Sequence, residues 1–135
     1  KKEKIFHHCI LTAALILLAI EKEINNMLII EDNTISLTRG DTAYIGINLT
    51  DNSGNPYEAL EGDTVTLSVK RSINDKTCAL QITVPFGEDI YIRPEDTKDL
   101  KYGRYVYDIQ VNTARGEVYT VVAKSVFKLT EEVNV

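Results

Sequence analysis

Few residues in this chain are equipped for chemistry. Both histidines, His7 and His8, stand next to Cys9, ahead of an apolar run. Adjacent residues do not converge easily on one ion, and no second ligand pair follows downstream, so this triplet is discounted as a metal site. After Met27 there is no imidazole, and neither a Ser/His nor a Cys/His pair can be assembled. Cys78 lies in that region without such a partner and is expected to be a packed or turn-proximal thiol. Carboxylates occur in pairs: Glu88-Asp89, Glu95-Asp96 and Glu131-Glu132. Two carboxylates can hydrolyse a glycoside, but neighbours in a strand face opposite ways and the chain has no Trp for a sugar platform. Asp51-Asn52-Ser53-Gly54-Asn55 alternates oxygen side chains as a Ca²⁺ loop does, yet departs from the EF-hand pattern at the Gly and the terminal Glu. A plain loop is favoured there, and Ca²⁺ binding is left open. Arg39-Gly40-Asp41 spells a cell-adhesion tripeptide, but a turn between two strands explains it equally. Asn48-Leu49-Thr50 matches an N-glycosylation acceptor placed mid-strand. The expectation is a protein that is not an enzyme and uses no cofactor and no metal.

The segment that organises the remainder is 94–112. Pro94 fixes φ, and Glu95, Asp96, Thr97 and Asp99 offer capping oxygens for a single helical turn. A strand follows in which Tyr105, Tyr107, Ile109 and Val111 share one face, against Arg104, Asp108, Gln110 and Asn112 on the other. The order Asp96, Leu100, Gly103, Tyr105 resembles the corner entering the sixth strand of immunoglobulin-like sandwiches. There a Tyr hydroxyl reaches back to backbone in the preceding turn. That resemblance places a bond from Tyr105 to the backbone of 96–100. Tyr107 stands where antibody domains carry a Cys, so such a core would have no inter-sheet disulfide.

Alternating patterns continue elsewhere. Ile35 and Leu37 precede the Arg39 turn; Ala43, Ile45, Ile47 and Leu49 alternate with polar residues. Val65, Leu67, Val69 and Ile73 form the cleanest face, with Arg71 falling on it near that strand's end. Leu80, Ile82 and Val84, then Ile90 and Ile92, follow turns. The final run puts Tyr119, Val121, Ala123, Phe127 and Leu129 on one face. About seven strands within some hundred residues predict an all-β fold, an Ig-like antiparallel sandwich spanning 27–135. Residues 1–26 differ. A basic start and the run CILTAALILLAI are too short to span a bilayer and match the length of a signal-peptide core. Three readings stay open: upstream sequence foreign to the domain, a secretory or anchor segment, or a docked N-terminal helix; if ordered, the leader is expected to be helical. A membrane contact is expected only if the anchor reading holds. The 135 residues suit one domain, and a net charge of −5 argues against a nucleic-acid partner.

The ordered motifs ISLTRGDTAYIGINLTD, DNSGNPYE, TVTLSVKRSIND and IYIRPEDTKDLKYGRYVYDIQVNTARGEVYTVV carry a further resemblance. They are similar to small virion proteins of phages and prophages of Gram-positive bacteria, in particular the N-terminal domain of the baseplate upper protein family. The resemblance covers 30–133 and none of the leader. It implies a structural or adaptor module in a tail, baseplate or fibre, made in the host cytoplasm and assembled into the virion. It transfers no catalytic residues. Its partners would be other virion structural proteins, with a homo-oligomer as a further option. The alternative is a secreted or surface-anchored bacterial Ig-like binding domain.

Overall fold

The computed structural model describes residues 6–13, 28–51 and 55–131. Among the described residues, nine strands and one helical turn follow in order: β1 (Phe6–Ala13), β2 (Leu28–Glu31), β3 (Thr34–Thr38), β4 (Ala43–Asp51), β5 (Thr64–Lys70), β6 (Leu80–Pro85), β7 (Ile90–Ile92), α1 (Pro94–Thr97), β8 (Gly103–Asn112) and β9 (Val118–Thr130). They form a curled six-stranded sheet, β2-β3-β9-β8-β5-β6, and a small sheet, β1-β4-β7. All ladders are antiparallel except β3 with β9, which is parallel. The fold is all-β, as the alternation predicts.

One core joins both sheets. It holds Ile35 and Leu37 from β3, Ile45 from β4, Val65, Leu67 and Val69 from β5, Ile90 and Ile92 from β7, the four inward residues of β8, and Phe127 and Leu129 from β9. Phe127 anchors it edge-on to two rings, Tyr105 and Tyr107, at centroid distances of 6.5 and 6.4 Å. The polar partners of these faces look outward, so each strand is half-buried for the reason its sequence alternates.

Three expectations need correction. β5 ends at Lys70, so Ile73, expected on its apolar face, lies in the turn beyond it and is 60% exposed. The leader was expected to be helical if ordered; instead Phe6–Ala13 is a strand, paired antiparallel with β4 from Phe6 opposite Asp51 to Ala13 opposite Ile45. Its Phe, Ile and Thr suit a strand, and the edge of β4 supplies backbone partners that a reading of the run in isolation does not include. The rest of the helical expectation, at 14–26, lies outside the described residues. The last concerns β9, where the buried residue is Val122 rather than Ala123. Register shifts against β8 on either side of the Ile109–Val122 pair insert extra residues into β9 and change the phase of its alternation.

Turn chemistry is local. Asp32 and Asn33 both have positive φ (51° and 65°), as a two-residue hairpin turn between β2 and β3 demands. The Tyr107 hydroxyl donates to the Asn33 carbonyl and ties that hairpin to β8.

Candidate functional site

The end of the molecule carrying α1 gathers the residues of the expected corner. Asp96 caps the turn: its Oδ2 accepts from the Arg93 N–H at 2.8 Å. Thr97 is fully buried and does not cap; its hydroxyl accepts from the Gly40 N–H at 2.8 Å. Leu100 is half-buried, and its carbonyl accepts from Arg39 Nη1 at 3.1 Å. Tyr105 is 3% exposed, and its hydroxyl donates to the Lys101 carbonyl at 2.7 Å, one residue beyond the anticipated 96–100 window. Gly103 has φ +127°, and a Cβ there would lie 3.0 Å from Arg71 Nη1. Arg71 follows the end of β5. It covers the Tyr105 ring at 4.7 Å and donates to the carbonyls of Tyr102 and Arg104. Arg39 lies over the Tyr102 ring at 4.0 Å. The Arg39-Gly40 turn is thereby clamped to the α1 corner, and its guanidinium is committed within the protein. An adhesion tripeptide needs that group at a free loop tip.

A second concentration of polar groups lies on the outer face of the large sheet. A groove of about 340 Å³ crosses β5, β6, β8 and β9 and the 71–79 connection. Outward positions bring Ser68 and Lys70 from β5, Gln81 from β6, Asp108 and Gln110 from β8, and Lys124 from β9; Lys76, Cys78 and Ile73 close one end. Gln81 Nε2 donates to Ser68 Oγ at 2.9 Å and approaches Cys78 Sγ at 3.8 Å. Asp108 lies directly across from Ser68. Burial pushes its carboxyl above the ordinary value, while the nearby Lys70 charge acts the other way. Three lysines around one carboxylate leave this groove locally positive on a chain of net charge −5. The Cys78 thiol is free.

The small sheet offers a different surface. Tyr44 on β4 and Tyr91 on β7 are cross-strand neighbours, and their rings stack at 4.8 Å with planes 7° apart. Tyr91 is 42% exposed.

A buried charge escaped sequence reasoning altogether. Asp63, 2% exposed, precedes β5 and gathers the 55–63 connection. Its Oδ2 accepts from the Tyr57 hydroxyl and the Leu60 N–H, both at 2.9 Å, and its Oδ1 from the Ala114 N–H at 2.8 Å. Burial acts to raise its carboxyl, but these donors and the Arg115 charge hold it below the usual range. The available signal was an acidic residue after Gly62, at the start of the most regular strand.

The remaining candidates do not converge. Glu88, Asp89, Glu95 and Glu131 are exposed, and Glu132 lies outside the described residues. Of the 51–55 loop, 52–54 also lie outside them. Asn48 pairs with Ile10 within the β1–β4 ladder. Among the described residues no group of three or more His, Cys, Asp or Glu could hold a metal ion, and no helix is long and apolar enough to cross a membrane. Comparison with protein families, with curated proteins and with solved structures finds no match to this chain.

Proposed function

We propose that the chain is a non-enzymatic adaptor or structural module of a phage tail, baseplate or fibre, with an Ig-like sandwich fold, acting through protein–protein contact. The observation that carries this reading is the clamp between two distant motifs. Arg39-Gly40 belongs to the RGDT turn and Thr97 to the PEDT turn, and these are landmarks of the resemblance to baseplate upper proteins. They meet through the Gly40–Thr97 and Arg39–Leu100 bonds. Motifs that pack on each other form one structural signature, which is a better account of their order than separate chance turns.

Strand order supports the fold. The run β9-β8-β5-β6 reads as the G-F-C-C′ order of variable-type Ig domains, and β4-β7 as B-E on the opposing sheet. The tyrosine corner then falls at the start of the F strand, where Tyr105 bonds back to Lys101. Rigid strands leave the outer groove, the Tyr44–Tyr91 stack and the sheet edges as contact surfaces. Tyrosine stacks and uncovered edges suit protein partners. The partners in this reading are other structural proteins of the virion.

The test is co-purification of the tagged full chain with the structural proteins of the encoding element, run beside a polysaccharide-cleavage screen. Recovery of tail or baseplate proteins without glycan turnover is expected. Turnover that disappears on replacing one acidic pair would overturn the reading in favour of an enzyme.

A further inference from the structure

The six-stranded sheet has two ends, β2 and β6. β2 is four residues long and closes on Glu31. β6 is longer, and its residues 80–84 (Leu-Gln-Ile-Thr-Val) include no charge, no Pro and no Gly. Exposed edges are normally blunted by a charge, a proline or a bulge. Here only Pro85 does so, at the far end, and no register shift interrupts the β5–β6 ladder.

The direction of the edge groups follows from one bond. The Phe86 N–H donates to the Asp63 carbonyl at 2.9 Å, making that pair a hydrogen-bonded one. Alternation along an antiparallel ladder then turns the N–H and C=O of Leu80, Ile82 and Val84 toward β5. Those of Gln81 and Thr83 face away from the sheet.

We propose that this edge is where two copies of the chain pair, β6 antiparallel to β6, about a two-fold axis at Ile82. In that register Gln81 stands opposite Thr83 of the second copy. Each N–H meets a C=O across the axis, and the two large sheets become continuous. The pairing is self-complementary on both faces. Exposed Gln81 and Thr83 adjoin one another on the groove side, while half-buried Ile82 and Val84 gain cover on the core side. An uncharged edge brings no like charges into register, although each copy is −5 overall. This self-matching favours a second copy over an unlike strand. The inference deepens the protein-contact part of the proposed function and rests on that part alone. A strand this short buries less than the roughly 1,200 Å² of a stable interface, so dissociation constants of about 10 µM to 1 mM are expected.

The experiment is sedimentation and amide-exchange NMR of the full chain over that concentration range. The expected result is a reversible dimer in which the Gln81 and Thr83 amides gain protection with concentration. A Gln81→Lys/Thr83→Lys chain and a Gln81→Glu/Thr83→Glu chain should each be folded and monomeric alone, and should associate when mixed, since Lys and Glu then face each other across the axis. The mixing arm separates a specific edge contact from misfolding. A chain that stays monomeric to about 1 mM, or a dimer indifferent to both variants, overturns the proposal while leaving the co-purification test of the adaptor reading intact.

Discussion

Asp63 allows the sharpest test of how the structure is held together. Replacing it with Ala removes one carboxylate and strands three donors: the Leu60 and Ala114 amides and the Tyr57 hydroxyl. A hydrogen bond to a charged group contributes about 1.5–3 kcal/mol, and an unpaired buried donor costs about 1–3 kcal/mol. These terms are not additive where a surface connection can relax and admit water. We therefore expect a loss of about 3 kcal/mol, a large share of the roughly 5–15 kcal/mol typical of a domain. Asp63→Asn keeps the volume but turns one oxygen into a donor. In one orientation its nitrogen faces the Ala114 N–H, in the other the Leu60 N–H, so it too should lose about 2 kcal/mol.

The pH dependence has a definite sign. Burial raises the Asp63 carboxyl, but its donors and Arg115 outweigh this, so the folded value lies below the unfolded one. A depressed carboxylate contributes stability that is complete above the unfolded value of about 3.9, and loses it as pH falls through the folded value. Urea unfolding from pH 7 down to about 2 should show an acid limb that is shallower in Asp63→Asn. A change below about 1 kcal/mol in Asp63→Ala, or an unaltered acid limb in Asp63→Asn, would refute the latch.

Other perturbations follow the same logic. Tyr105→Phe loses the bond to the Lys101 carbonyl and should cost about 1 kcal/mol in urea titration; no change would remove energetic weight from the corner. Gly103→Ala should cost about 1–3 kcal/mol, because φ +127° is strained for a Cβ and Arg71 must also shift. Arg39→Lys keeps the charge but loses the planar stack on Tyr102, and a lower unfolding midpoint should report it. Asp108→Asn should raise the urea midpoint at pH 7, since burial disfavours the carboxylate, and this advantage should shrink as pH falls through the raised folded value; a lowered midpoint at pH 7 would count against it.

What could be read from the residues depended on whether the signal was local. Period-two alternation exposed β3, β4, β5 and β8, because a half-buried strand writes its faces into neighbouring positions. The same rule misplaced Val122, since it assumes one residue opposite one, and β9 carries extra residues against β8. β1 was missed for a related reason: a short apolar run has no intrinsic preference strong enough to choose helix over strand, and the deciding partner, β4, lies some forty positions away. Asp63 shows the same limit for charge. An acidic residue beside a turn is normally solvated, and only the approach of Ala114, 51 positions later, makes this one buried and satisfied. The RGDT and PEDT turns mark the boundary between the two kinds of signal. Each is legible as a turn from its own residues, but the Gly40–Thr97 bond spans 57 positions. That bond changes what the tripeptide does in the fold: a guanidinium stacked on Tyr102 and bonded to Leu100 holds the turn against the corner, where an adhesion tripeptide would need it at a free loop tip.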